Sequence, residues 1–367
     1  MIISKGDYTK LKESRVLGRY VVNEQIISFL NKMAATFKVE TEGHSVLNRP
    51  IKSITIGKGT NKILMWSQMH GNESTTTKAV LDLINLLDSN TDFAKGVLEH
   101  CTIKILPILN PDGAYAYTRV NANEVDLNRD AQIRSQPESK VLRAVYDRFK
   151  PDFCFNLHDQ RSIYNVGTTS KSATVSFLAP AHDSERSISK ERVKAMQHIV
   201  AMNETLQELI PGQIGRYDDA FNANCVGDTF QMLNTPTILF EAGHAQGDYD
   251  REKTREYIFY AMVKVLDTIA KDASNAYDHH VYFQIPENAK SFFDILIKNV
   301  PLPNTSGRKD VGILYREVLD GETISFIPNI EKDGNLDGFF GHETYDCLNS
   351  KDTFYLRNSD LRDLLAI

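Results

Sequence analysis

Two hydrophobic patterns alternate along the first 275 or so residues. Short, almost uniformly apolar runs at Ile51–Ile56, Lys62–Gln68, Thr102–Leu109, Asp152–Leu157, Ala173–Leu178 and Thr237–Phe240 have the length and boundaries of strands. Between them, Asn23–Phe37, Thr75–Leu87, Glu138–Phe149, Ser187–Leu209 and Tyr249–Ile269 repeat their apolar positions at helical spacing. Strands interleaved with helices of that length predict an α/β sheet covered on both faces.

The pattern changes after Lys271-Asp-Ala-Ser-Asn. Segments become short. A helix is predicted over Ala289–Ile297, and strands over Val311–Tyr315, Glu322–Ile327 and Thr353–Leu356, separated by Gly, Asp and Asn turns. The chain therefore reads as a first unit of residues 1–275 and a small β-rich unit of residues 280–367, with the boundary near 275–285. No catalytic motif lies in the second unit. It is expected to be an accessory piece without catalytic residues; its role is open, and rimming a cleft to restrict substrate size is one idea to test.

Composition narrows the class without naming it. With 41% hydrophobic and 25% charged residues over 367 positions, this is an ordinary globular chain. A net charge of −6 offers no basic footprint for nucleic acid or an anionic membrane surface. No apolar run approaches the roughly 20 residues of a membrane span. Met1-Ile-Ile-Ser-Lys-Gly-Asp lacks the basic head and apolar core of a signal peptide. Cys101, Cys154, Cys225 and Cys347 are scattered, with no CxxC pair, and read as free thiols. These features lead us to expect a cytoplasmic protein.

Candidate chemistry sits at strand ends. Lys62–Gln68 runs into Met69-His70-Gly71-Asn72-Glu73, Asp152–Leu157 into His158-Asp159, and Thr237–Phe240 into Glu241-Ala242-Gly243. In open α/β sheets, ligands bind at the carboxyl ends of strands. Two His and a carboxylate make a donor set for catalytic zinc, which keeps one position for water. A further carboxylate can take a proton from that water. HxxE spacing alone is weak: His182-Asp-Ser-Glu185 repeats it and reads as an exposed loop or helix start.

Between the first two strand ends lies Asn110-Pro-Asp-Gly113, a turn by its own residue chemistry. A polar stretch follows, carrying Arg119 and Asp126-Leu-Asn128-Arg129. Arginine is suited to bidentate capture of a carboxylate. The ordered set His-x-x-Glu, Asn-Pro-Asp-Gly, Arg, Asp-x-Asn-Arg, His and a strand-borne Phe-Glu, across roughly residues 55 to 260, resembles the zinc carboxypeptidase family in its bacterial cytoplasmic branch.

The resemblance implies a mixed sheet, of the eight-stranded type, between helices. It implies one zinc per chain on His70, Glu73 and His158, with Asp126 orienting the first of these ligands. Asn128 and Arg129 would grip the substrate's terminal carboxylate, Arg119 would polarise the scissile carbonyl, and Glu241 would be the general base. The substrate would be a peptide or peptide-like molecule with a free carboxylate, and the reaction hydrolysis of its C-terminal bond. Tyr217 stands near the spacing of the family's mobile tyrosine, but its surroundings, Gly215-Arg-Tyr-Asp-Asp, do not match. The residue before Asp228, where the family reads the side chain, is Gly227. His244 and Tyr249 read as structural. A murein-peptide amidase, and a deacylase like aspartoacylase or succinylglutamate desuccinylase, use similar groups and stand as alternatives. A silent binding protein on this scaffold would be expected to lack a ligand or the base, and none is missing.

Overall fold

The computed structural model describes residues 3–303 and 305–365. An eight-stranded sheet forms its centre. Its strands are β1 (Lys38–His44), β2 (Pro50–Gly57), β3 (Asn61–Trp66), β4 (Cys101–Leu106), β5 (Phe153–Asp159), β7 (Val175–Leu178), β8 (Ile214–Arg216) and β9 (Thr237–Ala242), while β6 is the short strand Asn165–Val166. The spatial order is β1-β2-β4-β3-β5-β9-β7-β8. β4, β3, β5 and β9 run parallel, and β2 and β7 flank them antiparallel, so the sheet is mixed.

Alternate side chains of a strand face opposite sides. Met65, Ile105, Phe155 and Phe240 point into the larger core, under the helices Thr75–Leu87, Lys190–Gln207 and Glu252–Ala270. Leu64, Trp66, Leu106 and Cys154 point the other way, onto Leu142 and Val145 of the helix Pro137–Phe149 and onto Phe230 of the helix Val226–Met232. This double coverage is why the strands read as continuous apolar runs. The chain lays β4 on one side of β3 and then crosses to lay β5 on the other. Their carboxyl ends diverge there into a crevice.

A second sheet holds β11 (Phe292–Pro301), β12 (Arg308–Asp320), β13 (Thr323–Gly334) and β14 (Phe340–Asp346), in the order β13-β12-β11-β14. Two expectations fail here. Ala289–Ile297 is not a helix: Asn288–Ala289 is a short strand, β10, paired with β6, and the remainder is the start of β11. Both faces of β11 are covered. Ile295 and Ile297 pack with Leu356 and Leu361, while Phe293 and Leu296 pack with Leu314 and Leu336. A strand buried on both faces loses its two-residue alternation and can mimic helical spacing. Thr353–Leu356 is not a strand but part of the helix Ser350–Arg357. Asn349 caps that helix by accepting from the Lys351 N–H at 2.9 Å, and the cap outweighs the strand preference of Thr, Phe and Tyr.

The C-terminal region is tied to the first unit by part-buried polar contacts. Glu317 on β12 pairs with Arg19 at 3.1 Å and accepts from the Tyr117 hydroxyl. Asn288 donates to Gln160 at 2.9 Å, and His342 meets the Ser162 carbonyl at 2.8 Å. Tyr282 and Ile285 belong to the larger core. Truncation after Ser274 removes Glu317, Asn288, His342, Tyr282 and Ile285. It takes away the carboxylate partner of Arg19 and uncovers apolar core. We expect that truncation to be insoluble. A soluble truncation that still binds zinc would show that the second unit is dispensable for folding.

Candidate active site

The crevice brings together side chains far apart in sequence. Beyond Trp66 the backbone leaves β3, and the loop is pinned where Gln68 Nε2 donates to the carbonyls of Val21 and Gly71, both at 2.9 Å. Gly71 is required for space: a Cβ there would stand 1.9 Å from the Gly113 carbonyl carbon. Asn110-Pro-Asp-Gly113 is more than a turn. It opens the short helix Pro111–Ala116, with Asn110 Oδ1 accepting from the Gly113 N–H at 2.9 Å. The loop so held presents His70 and Glu73. His158 and Glu241 lie within β5 and β9 and are partners in the parallel register.

His70 Nδ1 lies 2.8 Å from Glu73 Oε1 and 3.1 Å from His158 Nδ1, and His158 Nδ1 lies 2.8 Å from Glu73 Oε2. The other nitrogen of His70, Nε2, lies 3.0 Å from Asp126 Oδ1. A carboxylate can only accept, so it holds the proton on Nε2 and leaves the Nδ1 lone pair aimed at the cluster. Asp126 also accepts from Arg119 Nε and Nη2, both at 3.1 Å. Burial alone would raise the carboxyls of Glu73 and Asp126. For Glu73 the two histidines outweigh it, and for Asp126 His70 and Arg119 do, so both stay well below the usual carboxylate range. Four-coordinate zinc, with bonds of about 2.0–2.2 Å, places its ligand atoms roughly 3.3 Å apart. Two imidazole nitrogens and a carboxylate already gathered at nearly that separation fit this ion.

Glu241 is 7% exposed, and its Oε2 has no hydrogen-bond partner. Burial first, then repulsion from Glu73 and Asp159, pushes its carboxyl well above the usual range. Arg119 is half-exposed and donates through Nη1 to Glu73 Oε1 at 3.2 Å. Leu127–Arg129 forms one 3-10 turn, capped where Asp126 Oδ1 accepts from the Asn128 N–H at 2.9 Å. That turn sends Asp126 towards His70, and Asn128 and Arg129 into the cavity. Asn128 Oδ1 accepts from the Val226 N–H at 2.9 Å, and Arg129 Nη1 contacts Cys225 Sγ at 3.2 Å.

All these groups except Asp126 line one cavity of about 530 Å³. Tyr217 lines it too, its hydroxyl 2.9 Å from that of Tyr164. No residue beyond Glu241 lines it among the described residues. The C-terminal region touches the residues that do: Asn288 donates to Gln160, and Lys290 lies over the Tyr164 ring at 5.9 Å. His244 and Tyr249 stand outside, His244 buried between the rings of Tyr249 and His342 at 4.6 and 4.2 Å. The sequence reading missed Asn156, Asp159 and Arg161. Asn156 and Asp159 were detectable as polar interruptions of an apolar strand. Asp159 accepts from the Thr75 N–H at 2.9 Å, fixing the strand end beside His158 against the helix Thr75–Leu87.

The sequence profile described as zinc carboxypeptidase matches residues 24–232. The chain belongs to the zinc carboxypeptidase family. Carboxypeptidase 2 of Trichophyton tonsurans is 31% identical over 101 residues, 27% of this chain, and that of Trichophyton rubrum is 30% identical over 100. This chain covers about a fifth of the length of either relative. A metallo-carboxypeptidase from Burkholderia cenocepacia superposes with a TM-score of 0.56 at 17% identity, covering 68% of this chain and 69% of that one. Carboxypeptidase A from Helicoverpa armigera superposes with a TM-score of 0.55 at 16% identity, over 70% and 75%. At such identities the likeness is one of fold. It spans the mixed sheet of the zinc carboxypeptidase family.

Proposed function

We propose that this protein is a zinc carboxypeptidase that hydrolyses the C-terminal peptide bond of peptides. The observation that carries the reading is the placement of the donor cluster, the unpartnered Glu241 carboxylate and the Asn128–Arg129 pair around one cavity. His70, Glu73 and His158 would hold one zinc ion per chain. Bound there, zinc supplies Lewis acidity, which makes water a competent nucleophile near neutral pH and polarises the scissile carbonyl. Glu241 takes the proton from the attacking water and passes it to the leaving amine. Arg119 presents donors to the carbonyl oxygen as charge builds there. Asn128 and Arg129 hold the free terminal carboxylate, so that the last peptide bond is the one placed against Glu241. Asp126 keeps His70 in the tautomer that leaves Nδ1 free.

We place the catalytic unit within residues 1–275. The accessory unit, read from sequence as 280–367, would begin nearer residue 291, because Tyr282, Ile285 and β10 pack with the first unit. Four free thiols fit a reducing cytoplasm. Among the described residues, no helix is long and apolar enough to cross a membrane.

The metal assignment is tested by loading and chelation. Purified protein should bind one zinc per chain, lose peptidase activity on chelation and regain it when zinc is returned. An anomalous zinc signal at the exposed Asp278-His279-His280 cluster, with none between His70 and His158, would overturn it.

A further inference from the structure

Resting on the carboxypeptidase reading, we propose that the cavity selects a C-terminal residue with a carboxamide side chain, glutamine above all, and that Asn156 reads it. The sheet register carries the argument. His158 and Glu241 face each other across β5 and β9, and Ser176 of β7 lies beside Glu241. Two residues deeper, roughly 7 Å along the strands, the same face presents Asn156, Leu239 and Leu178 as register partners. All three line the cavity. Two are apolar. The third is an amide in a central strand, where asparagine is disfavoured.

Asn156 is 2% exposed, and its Oδ1 is enclosed without a hydrogen-bond partner. Such a group is costly unless something completes it. Gly227 stands over the amide and adds no bulk there: a Cβ would stand 3.0 Å from Pro180 Cγ and 3.9 Å from Asn156 Nδ2, so a longer side chain would grow over the amide. Asp228, on the same wall, is already engaged, its Oδ2 accepting from the Asn222 N–H at 3.0 Å.

The free group is therefore a carboxamide at the end of a slot with leucine walls, one strand repeat below the reacting bond. A second carboxamide complements it, donating N–H to Oδ1 and accepting from Nδ2. Glutamine has the length to span from a residue held at Arg129 down to this row, with methylenes against Leu178 and Leu239. Serine and threonine end too high. An apolar side chain would leave the Asn156 oxygen unpaired, and sites built to bond a polar substrate group discriminate on that basis.

The test uses zinc-loaded full-length protein and acylated dipeptides that differ only in the C-terminal residue: Gln, Met, Glu, Lys and Ala. We expect kcat/KM for Gln to exceed that for Met, its apolar near-isostere, by about ten- to a hundred-fold. Asn156→Leu should reverse the Gln-to-Met ratio. Gly227→Val, which keeps Asn156 but covers it, should depress Gln relative to Ala and guards against misfolding of the first variant. Equal rates for Gln and Met, with a ratio unmoved by either variant, would mean that Asn156 is completed by cavity water, and would overturn the proposal. Preference for Lys would overturn it in favour of Asp228. Binding of the Gln and Met dipeptides to Glu241→Gln protein separates the two readings: selective binding of Gln without turnover by the unaltered enzyme would sink the peptidase reading alone, whereas non-selective binding sinks this one.

Discussion

Replacing Glu241 with glutamine is expected to lower kcat by at least ~10²-fold while one zinc per chain stays bound. The two side chains have the same shape, so the variant removes only the capacity to accept a proton. Glu241 is not within the donor cluster of His70, Glu73 and His158, which is why zinc should remain. Its carboxylate is buried, has an unpartnered oxygen, and lies in the field of Glu73 and Asp159. Such a charge is a burden on the fold. The melting temperature of the zinc-free variant should therefore not fall, which separates a proton-transfer role from a structural one. Near-normal turnover would remove Glu241 from the mechanism, and loss of zinc would make it a ligand.

Amidating the C-terminus of a good peptide substrate should cut kcat/KM by about ten- to a hundred-fold, the scale of a lost charge-assisted pairing. Arg129 and Asn128 lie on a turn that Asp126 caps, so their position is coupled to the donor cluster through one short segment. In Arg129→Met the distinction between free and amidated peptides should largely vanish, because the free peptide loses its partner while the amide loses little. Arg129→Lys should recover only part of it, since an ammonium does not reproduce the planar fork. Equal cleavage of both peptides by the unaltered enzyme would point to an endopeptidase.

Strand-end position singled out His70, Glu73, His158 and Glu241, and the resemblance to the zinc carboxypeptidase family added Asp126, Arg119, Asn128 and Arg129, before any fold was drawn. The central strands were legible because both faces are buried, which leaves a run of apolar residues bounded by turns. The same property misled at Phe292–Ile297, where burial on both faces erased the alternation that marks a strand. At Thr353–Leu356 residue preference pointed to a strand, and a capping asparagine four residues earlier decided otherwise.

What the sequence determined by itself was the α/β class, the donor types and the spacing of the zinc carboxypeptidase family, because these depend on residue identity and local periodicity. Tertiary structure alone decided the rest. Strand order put β3 beside β5 and β5 beside β9, making neighbours of His70, His158 and Glu241, and register set Asn156 one row beneath them. It also brought Glu317, Asn288 and His342 of the C-terminal half against Arg19, Gln160 and Ser162, and left the cavity lining to residues before position 242. The physical reason is range. Pattern and propensity act over a few residues, whereas pairing across a sheet and the neutralisation of a buried arginine such as Arg19 by Glu317 join positions some three hundred residues apart. No local signal carries that information.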